Sequence, residues 1–343
     1  MNHLFRSIVA IVMTSAMLSA CGGKESSGDV FLQSVTGGNG EILVVMNDYV
    51  KNDTSGQYIM DMLTDDYLGL SVSEPIFDVQ VVPHPYFNDQ MKKFRNIMYV
   101  VVSDSIQKDT VQCFDNVWAQ PQAYISVRAR SRQSLLPLVE RNHIKIVSYL
   151  SRSERNRMIA FNKRIPNLNL NEEIAKRYGI NINVPNMFSR CKPEHDGDMM
   201  WTYINTDESQ VGLFIYDFPY VGEGTLSTAY ILNKRDSLLR ENIGGPQGSF
   251  MCTEVRFGLD EILYKSGKFK GMDVAELRGQ WRMEGYAMGG PFMLRAHHDT
   301  INNRVVVTDG YVYYPSKSKK RNLLRQLESV MYTLDVAKKD NEK

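Results

Sequence analysis

Two short segments contain the residue types that bind metal ions in proteins. Residues 297–299 read HHD and stand at the end of a predicted strand, just before a turn. Residues 192–198 read KPEHDGD and form a polar loop with His195 at its centre. Imidazole and carboxylate groups are common zinc ligands, and carboxylates also bind calcium. His195 and His297 are therefore the candidate metal ligands of this chain.

Neither segment supplies a complete coordination shell. Successive side chains of a strand point to opposite faces of a sheet, so His297 and His298 cannot both bind one ion unless the strand breaks there. The spacing of the carboxylates around His195 matches no calcium loop. We therefore expect no bound metal and no other cofactor.

The sequence motifs of common enzymes are absent from the chain. It contains no G-x-S-x-G elbow, no H-E-x-x-H zinc helix, no G-x-x-x-x-G-K-[ST] phosphate loop and no EF-hand loop. No catalytic residue can be named on this basis, and a function other than catalysis is favoured. An enzyme with a motif outside this set remains open.

The N-terminus carries the clearest chemical signal, and it concerns a cysteine. Arg6 is the one formally charged side chain among the first twenty residues, and residues 8–18 form the apolar run IVAIVMTSAML. A run of this length suits a signal peptide and is too short to cross a bilayer. Residues 18–21, LSAC, resemble a lipobox. We expect cleavage before Cys21 and lipidation of its thiol; the alternative is a secreted chain in which this cysteine follows the cleavage site by chance.

Lipidation of Cys21 would fix the protein to a membrane of the bacterial cell envelope. A diacylglyceryl group on the thiol and a fatty acid such as palmitate on the new N-terminus exceed what stable anchoring requires. Resemblance to sorted lipoproteins adds the location: Gly22 is not the Asp that retains many of them in the inner membrane, so the outer membrane is expected. No other segment approaches the roughly 18 apolar residues of a membrane span.

Composition and periodicity divide the chain into segments. Residues 22–40 are rich in Gly and Ser, as in a flexible tether. Beyond them, runs of β-branched residues alternate with helical patterns. The predicted order is a signal peptide (1–20), a lipidated tether (21–40), a first α+β half (41–170), a second α+β half with a C-terminal meander and an amphipathic helix (171–337), and a tail (338–343).

The predicted fold is α+β, with mixed or antiparallel sheets and helices packed on one face. Strands are expected at 41–46 (EILVVM) and 97–102 (IMYVVV), because both runs are rich in β-branched residues. The meander is expected to turn at Asn302-Asn303 and again at Asp309-Gly310, since these dipeptides suit tight hairpins. From residue 318 onward, leucines at helical spacing predict a final helix with a single apolar stripe.

An internal repeat is indicated by two short motifs. Segments 82–99 and 184–201 share a Val-Pro pair, an aromatic residue three positions later and a Met-aromatic pair at their ends. At almost the same displacement, residues 132–136 (RQSLL) resemble 235–239 (RDSLL). The two halves are thus predicted to be related copies of one unit; coincidence among common residues is the alternative.

Charge and cysteine content restrict the partners. The chain has 40 Lys and Arg against 39 Asp and Glu. Nucleic acid is not expected as a partner, because binding to its phosphates requires a basic surface.

Three cysteines remain besides Cys21, and they are Cys113, Cys191 and Cys252. We expect them to be small buried hydrophobic residues, and a disulfide between Cys191 and Cys252 is left open.

A basic cluster begins the final helix and consists of Lys317, Lys319, Lys320, Arg321 and Arg325. We expect a solvated helix face here, partly because cations at a helix N-terminus oppose the helix dipole. Contact with acidic lipid headgroups is the alternative.

Several of these segments resemble a known family when taken together. They are the lipobox, residues 289–292 (GGPF), residues 309–315 (DGYVYYP), the Lys-Arg pair at 320–321 and the leucine-rich helix after it. The chain resembles an uncharacterised family of bacterial envelope lipoproteins catalogued as a domain of unknown function, over nearly all of its mature length. The resemblance implies a location and no activity.

These observations favour a membrane-tethered envelope lipoprotein that binds or scaffolds another envelope component without catalysis. The expected partners are a membrane, contacted through the N-terminal lipid, and an envelope protein or glycan. The alternative is a hydrolase of an envelope glycan or peptide, with a pair of carboxylates that sequence alone cannot bring together.

Overall fold

Runs rich in β-branched residues form the central strands of the first half, as their composition predicts. In the computed structural model, which describes residues 32–191, 199–256, 258, 262–315 and 319–336, five strands form a mixed sheet in the spatial order β3-β2-β4-β7-β5. Four of them are parallel and β5 is antiparallel to β7. The strands are β2 (Glu41–Val45), β3 (Asp78–Val82), β4 (Asn96–Val102), β5 (Thr110–Asp115) and β7 (Ala123–Ala129); β1 (Gln33–Ser34) and β6 (Ala119–Gln120) are short.

Helices cover one face of this first sheet, as expected. They are α1 (Asp48–Lys51), α2 (Thr54–Thr64) and α3 (Arg132–Asn162). Side chains of α2 and α3 such as Ile59 and Leu150 are fully buried against Val44 and Ile125 of the sheet. The opposite face carries Leu43, Val45 and Ile97, which loop residues and aromatic side chains cover in place of an α-helix.

The second half is built on an antiparallel sheet of eight strands, in the order β12-β14-β15-β16-β11-β10-β9 with β13 paired to β14. The fold class, α+β with mixed and antiparallel sheets, is therefore confirmed. The strands are β9 (Ser189–Cys191), β10 (Met200–Asn205), β11 (Gln210–Pro219), β12 (Phe250–Thr253), β13 (Leu263–Phe269), β14 (Met272–Glu284), β15 (Tyr286–Asp299) and β16 (Arg304–Tyr313). A further pair joins β8 (Ile180–Asn181) to β17 (Asp335–Val336).

Helices lie on both faces of this second sheet, which differs from the expected single face. On one side, α4 (Leu168–Tyr178) and α6 (Arg321–Met331) pack against Leu213 and its neighbours, and on the other α5 (Thr228–Asn242) packs against Phe214 and its neighbours. The reason lies in β11, whose central residues are apolar on both faces and all buried. A strand with a continuous apolar run has to be covered from both sides.

The second predicted turn of the meander is wrong. Asn302-Asn303 does join β15 to β16, but Asp309 and Gly310 lie inside β16. The Asp309 carboxylate is fully buried and accepts a 2.8 Å hydrogen bond from Arg235 Nε. A Cβ at Gly310 would stand 2.6 Å from Met331 Cε, so this glycine lets α6 approach the sheet. A close helix contact, not a turn, accounts for the Asp-Gly pair.

The two halves meet through α3 and α6. Asn162 Nδ2 of α3 donates a 2.9 Å hydrogen bond to Ser329 Oγ of α6, and both residues are buried.

The repeated sequence motifs lie in different structural surroundings. Residues 98–99 are in β4, between parallel neighbours, and residues 200–201 are in β10, between antiparallel neighbours. The internal repeat therefore stays a prediction from sequence.

Several predicted features fall at the ends of the chain. The signal peptide, Cys21 with most of the tether, and the tail at 338–343 lie outside the described residues. Among the described helices, none has the length and apolarity that a membrane crossing requires.

Of the three cysteines besides Cys21, Cys252 is buried as expected, whereas Cys113 and Cys191 are only half-buried.

Candidate functional site

The two adjacent histidines lie within β15 and point to opposite sides of the sheet, as strand geometry requires. His297 is completely buried, and His298 is half-buried with its ring stacked on Tyr220 at a centroid distance of 3.7 Å. They cannot bind one ion together. The other candidate ligand, His195, lies outside the described residues.

The surroundings of His297 are unsuited to a cation. Burial and the nearby charges of Arg295 and Lys270 lower the pKa of His297 to about 3, so the imidazole is neutral. Its ring lies edge-on to Phe269 at 5.9 Å. Within the described part of the chain, no group of three or more His, Cys, Asp or Glu side chains is placed to hold a metal ion. A neutral, apolar-packed core histidine is the simplest description of this residue.

Asp299, the last residue of the HHD segment, organises the turn that follows it. Its carboxylate accepts hydrogen bonds from the backbone N–H groups of Ile301 and Asn302, at 3.1 and 3.2 Å, and from Arg304 Nε at 2.9 Å. These donors outweigh the effect of burial and hold the pKa of Asp299 below its usual value. Asp299 therefore stabilises the turn that connects β15 to β16.

A concave site of different composition lies where the two halves meet. We call it the α3–α6 cavity; it has a volume of about 520 Å³. No motif in the sequence predicted a binding site at these residues. It is lined by Asn39 before β2, Arg95 before β4, Met187, the α3 residues Arg157, Met158, Phe161 and Asn162, and the α6 residues Asn322, Leu323 and Gln326.

The polar wall of this cavity rests on a buried ion triad. Glu154, only 1% exposed, accepts hydrogen bonds from Arg95 Nη2 at 2.8 Å and Arg157 Nη2 at 2.7 Å. Asn96 Nδ2 donates a third, at 2.6 Å, and Arg95 Nη1 reaches Asn39 Oδ1 at 2.9 Å. Two guanidinium groups against one carboxylate leave one positive charge in excess.

The charge state of the triad follows from these contacts. Burial by itself would raise the pKa of Glu154, but Arg157 and Arg95 outweigh it and hold the pKa below the usual value. The carboxylate is therefore ionised at neutral pH. Both guanidinium groups are fixed in place before any ligand arrives, which reduces the entropy lost on binding.

The other wall of the cavity is apolar. Met158 and Phe161 are spaced three residues apart on α3, so they lie on one face of the helix. Leu323 faces them from α6, and Phe161 remains 56% exposed at the rim. Cavities of roughly 300–1,000 Å³ with mostly apolar walls and a few fixed polar groups are typical of small-molecule sites. The arrangement suits an amphiphile with an apolar part and an anionic or hydrogen-bond-accepting part.

Two glutamates line a second, smaller cavity of about 230 Å³. Glu276 and Glu328 both contact Arg278 Nη2, at 2.9 and 3.5 Å. Burial would raise the pKa of Glu276, but Arg278 and then Arg295 outweigh it and keep the pKa below its usual value. Glycoside hydrolysis requires one carboxylic acid with a raised pKa. Glu276 does not meet this requirement.

The basic cluster at the start of α6 is not a solvated face, and that prediction is wrong for its two arginines. Arg321 and Arg325 are each 5% exposed. Arg321 Nη2 pairs with Asp78 at 2.6 Å, and Arg325 Nη2 donates to the Ile76 carbonyl at 2.6 Å. Glu74 accepts from the backbone N–H groups at 320 and 321, so an anion from a distant loop compensates the helix dipole.

Comparisons with known proteins point to families without a described function. A model of a domain of unknown function (DUF8532) matches residues 35–163, and another (DUF4837) matches residues 167–333. This agrees with the expected uncharacterised family; neither description mentions an envelope or a lipid. No protein with a curated description matches the chain.

Some solved structures are similar in part. The Ran-binding protein Mog1p of Saccharomyces cerevisiae is 10% identical, with a TM-score of 0.30 over 46% of this chain and 90% of its own. LpqN of Mycobacterium tuberculosis, described as involved in cell envelope biogenesis, is 10% identical, with a TM-score of 0.26 over 45% of this chain and 81% of its own. Similarity of this extent carries no functional information.

Proposed function

We propose that this protein is a lipid-anchored lipoprotein of the bacterial cell envelope and that it binds an amphiphilic envelope component in the α3–α6 cavity without transforming it. The observation that carries the proposal is the pairing of an apolar wall with a fixed, positively charged wall in one cavity of about 520 Å³. A ligand with an apolar part and an anionic part satisfies both walls at once.

Each wall contributes a different part of the binding energy. Apolar area removed from water on the side of Met158, Phe161 and Leu323 contributes about 25 cal/mol per Å² before the costs of association. On the polar side, the excess charge of the Arg95–Glu154–Arg157 triad attracts an anion, and the amides of Asn322 and Gln326 offer donors and acceptors. The apolar wall supplies affinity and the polar wall selects the headgroup.

The test for a bound component uses tagged full-length protein purified from native envelopes in mild detergent, with small molecules identified by mass spectrometry. Leu323→Trp places an indole in the cavity and is expected to reduce the retained amphiphile at least about tenfold, which corresponds to 1.4 kcal/mol. The matched control is Ile144→Trp, since Ile144 is 80% exposed on the same helix as Phe161, about 26 Å away along its axis.

The control variant is expected to retain as much amphiphile as the unmodified protein. Thermal unfolding of both variants shows whether the cavity variant is folded. If the protein carries no amphiphile, or if Leu323→Trp retains as much as Ile144→Trp, the binding proposal is wrong.

The anchor is a separate part of the proposal and rests on the sequence around Cys21. Mass spectrometry of the N-terminal peptide should find a diacylglyceryl group and an added fatty acid on this residue, and Cys21→Ala should release the protein from membranes. Gly22→Asp should move it from the outer to the inner membrane in a density gradient. An unmodified Cys21, or a membrane-bound Cys21→Ala variant, contradicts the anchor.

A further inference from the structure

A second concave site lies on the other side of α6, and its chemistry differs from that of the α3–α6 cavity. It consists of two adjoining cavities of about 230 and 150 Å³ that share Lys265 and Glu276 in their walls. We call this site the basic cleft. Strands β13, β14 and β15 form one side of it, and α3 and α6 form the other.

Positive charge is in excess in the basic cleft. Four arginines line it, and two carboxylates lie among them: Arg155, Arg278, Arg295 and Arg325 with Glu276 and Glu328. Glu328 pairs with Arg155 at 2.7 Å, and Glu276 pairs with Arg278 at 2.9 Å. Two arginines therefore remain beyond these one-to-one pairs. At the surface, the exposed Lys265 is offset by the exposed Asp66.

Two tyrosines of the cleft do not compensate this charge. Burial raises the pKa of Tyr67 and of Tyr332, so both phenols are neutral at neutral pH. Tyr332 donates a hydrogen bond to Glu276 Oε2 at 3.1 Å, and its ring lies 3.7 Å from the guanidinium carbon of both Arg155 and Arg295. The tyrosine thus orients two arginines without neutralising either.

Arg295 is a buried arginine of the cleft whose guanidinium group is incompletely hydrogen-bonded. Its side chain is 4% exposed and lines the smaller cavity, yet its Nε and Nη1 atoms are buried without a hydrogen-bond partner among the described residues. The nearest carboxylate oxygen, Oε2 of Glu276, is 3.5 Å from Nε. Buried cationic N–H groups without acceptors are costly, and native proteins satisfy nearly all of them.

Arg325 adds a second buried guanidinium group to the wall of the larger cavity, although its Nη1 atom lies on the side of Gly40. It is 5% exposed and lines the larger cavity, and its Nη1 atom is also buried without a partner among the described residues. Its Nη2 atom binds only the neutral carbonyl of Ile76. No carboxylate of the described chain lies within ion-pair distance of this guanidinium. Arg325 therefore adds a buried positive charge without an ion-pair partner among the described residues, while Arg295 stands 3.5 Å from Glu276 without a hydrogen bond from its Nε atom.

We propose that the basic cleft binds a phosphate-type oxyanion, either as the free ion or as a phosphate ester. The planar fork of a guanidinium group matches the spacing of two phosphate oxygens. Arg295 offers such a fork in the smaller cavity, and the positive charge of the three arginines in the adjoining cavity favours a doubly charged tetrahedral anion over a single carboxylate. A doubly charged phosphate would also neutralise the two excess arginines. The site is independent of the α3–α6 cavity and of the ligand proposed there.

The test is a calorimetric titration of the full-length protein in mild detergent with inorganic phosphate at low ionic strength. Arg295→Gln is expected to weaken phosphate binding at least tenfold, and Arg295→Lys, which keeps the charge and loses the fork, by a smaller factor. Because a buried substitution can disturb folding, the exposed Lys265→Glu at the mouth serves as a second variant, with an expected loss of about fivefold, or about 1 kcal/mol.

The matched control for charge is Lys176→Glu on α4, an exposed lysine outside the cleft that carries the same change. It should alter phosphate binding less than twofold. The same titration with glycerol 3-phosphate distinguishes the two sources: comparable or tighter binding indicates a phosphate ester such as a lipid headgroup, whereas binding of inorganic phosphate alone indicates the free ion. If neither compound binds, or if Lys265→Glu and Lys176→Glu behave alike, the proposal is overturned.

Discussion

Replacing Glu154 with glutamine tests whether the buried triad holds the α3–α6 cavity together. The carboxylate is 1% exposed and accepts from Arg95 at 2.8 Å and Arg157 at 2.7 Å. Glutamine keeps the shape but turns one oxygen into an NH₂ group that faces a guanidinium donor. The loss of one charge-assisted hydrogen bond costs about 1.5–3 kcal/mol.

The substitution also leaves two arginines without a counter-charge, and the total cost of breaking the ion pair includes the lost hydrogen bond. Breaking a buried ion pair by removing one partner costs about 3–5 kcal/mol. The side chains of Arg95 and Arg157 are 10% and 8% exposed, so some solvent reaches them and the lower end of that range applies. We expect Glu154→Gln to lower the free energy of unfolding by about 3 kcal/mol.

The assay is urea unfolding of the mature protein in mild detergent, followed by circular dichroism. Glu140→Gln is the matched control, because Glu140 lies exposed on the same helix, and it should change the free energy of unfolding by less than about 0.5 kcal/mol. A loss below about 1 kcal/mol for Glu154→Gln would refute the reasoning, because the triad would then not be the buried, mutually dependent unit described above.

Two further predictions concern packing and pH. Gly290→Ala places a Cβ 2.1 Å from the Val312 carbonyl oxygen and should destabilise the protein by about 1–3 kcal/mol in thermal unfolding, whereas Gly267→Ala, with nothing within 4 Å, should have little effect. The folded pKa values of Glu154 and Glu276 lie below the ordinary 4.5, so their stabilisation is complete above that pH and is lost as pH falls through the folded values. The urea concentration at the unfolding midpoint should therefore decrease as the pH is lowered below about 4.5, and the decrease should be smaller in Glu154→Gln. A decrease of the same size in that variant would contradict the stabilising role assigned to the ionised Glu154.

Local pattern predicted many elements of the fold correctly. The β-branched runs at 41–46 and 97–102 form strands, and the leucine-rich segment after residue 318 contains a helix with a buried apolar stripe. These elements depend on residues close in sequence, so periodicity reveals them. Asp309-Gly310 shows the limit of such reasoning, because its place inside β16 is decided by Arg235 on α5 and by the approach of α6.

The candidate sites could not have been predicted from the sequence, because their partners are far apart along the chain. Arg95 and Glu154 are separated by 59 positions in the sequence. Glu74 accepts a hydrogen bond from the backbone N–H of Lys320 at the start of α6, 246 positions away. A solvated basic helix and a buried one with distant anionic partners have the same local pattern. Of the basic run at the start of α6 only Arg325 lines the basic cleft among the described residues, and only the folded structure shows that it is enclosed.

Site-specific photo-crosslinking in living cells tests most directly whether the α3–α6 cavity holds an amphiphile. A photoreactive phenylalanine analogue at Phe161, at the rim of the cavity, should give an adduct whose mass is that of the protein plus a small amphiphile. The same analogue at Ile144, exposed elsewhere on α3, should not. No adduct at Phe161, or the same adduct at both positions, would contradict the proposed binding function.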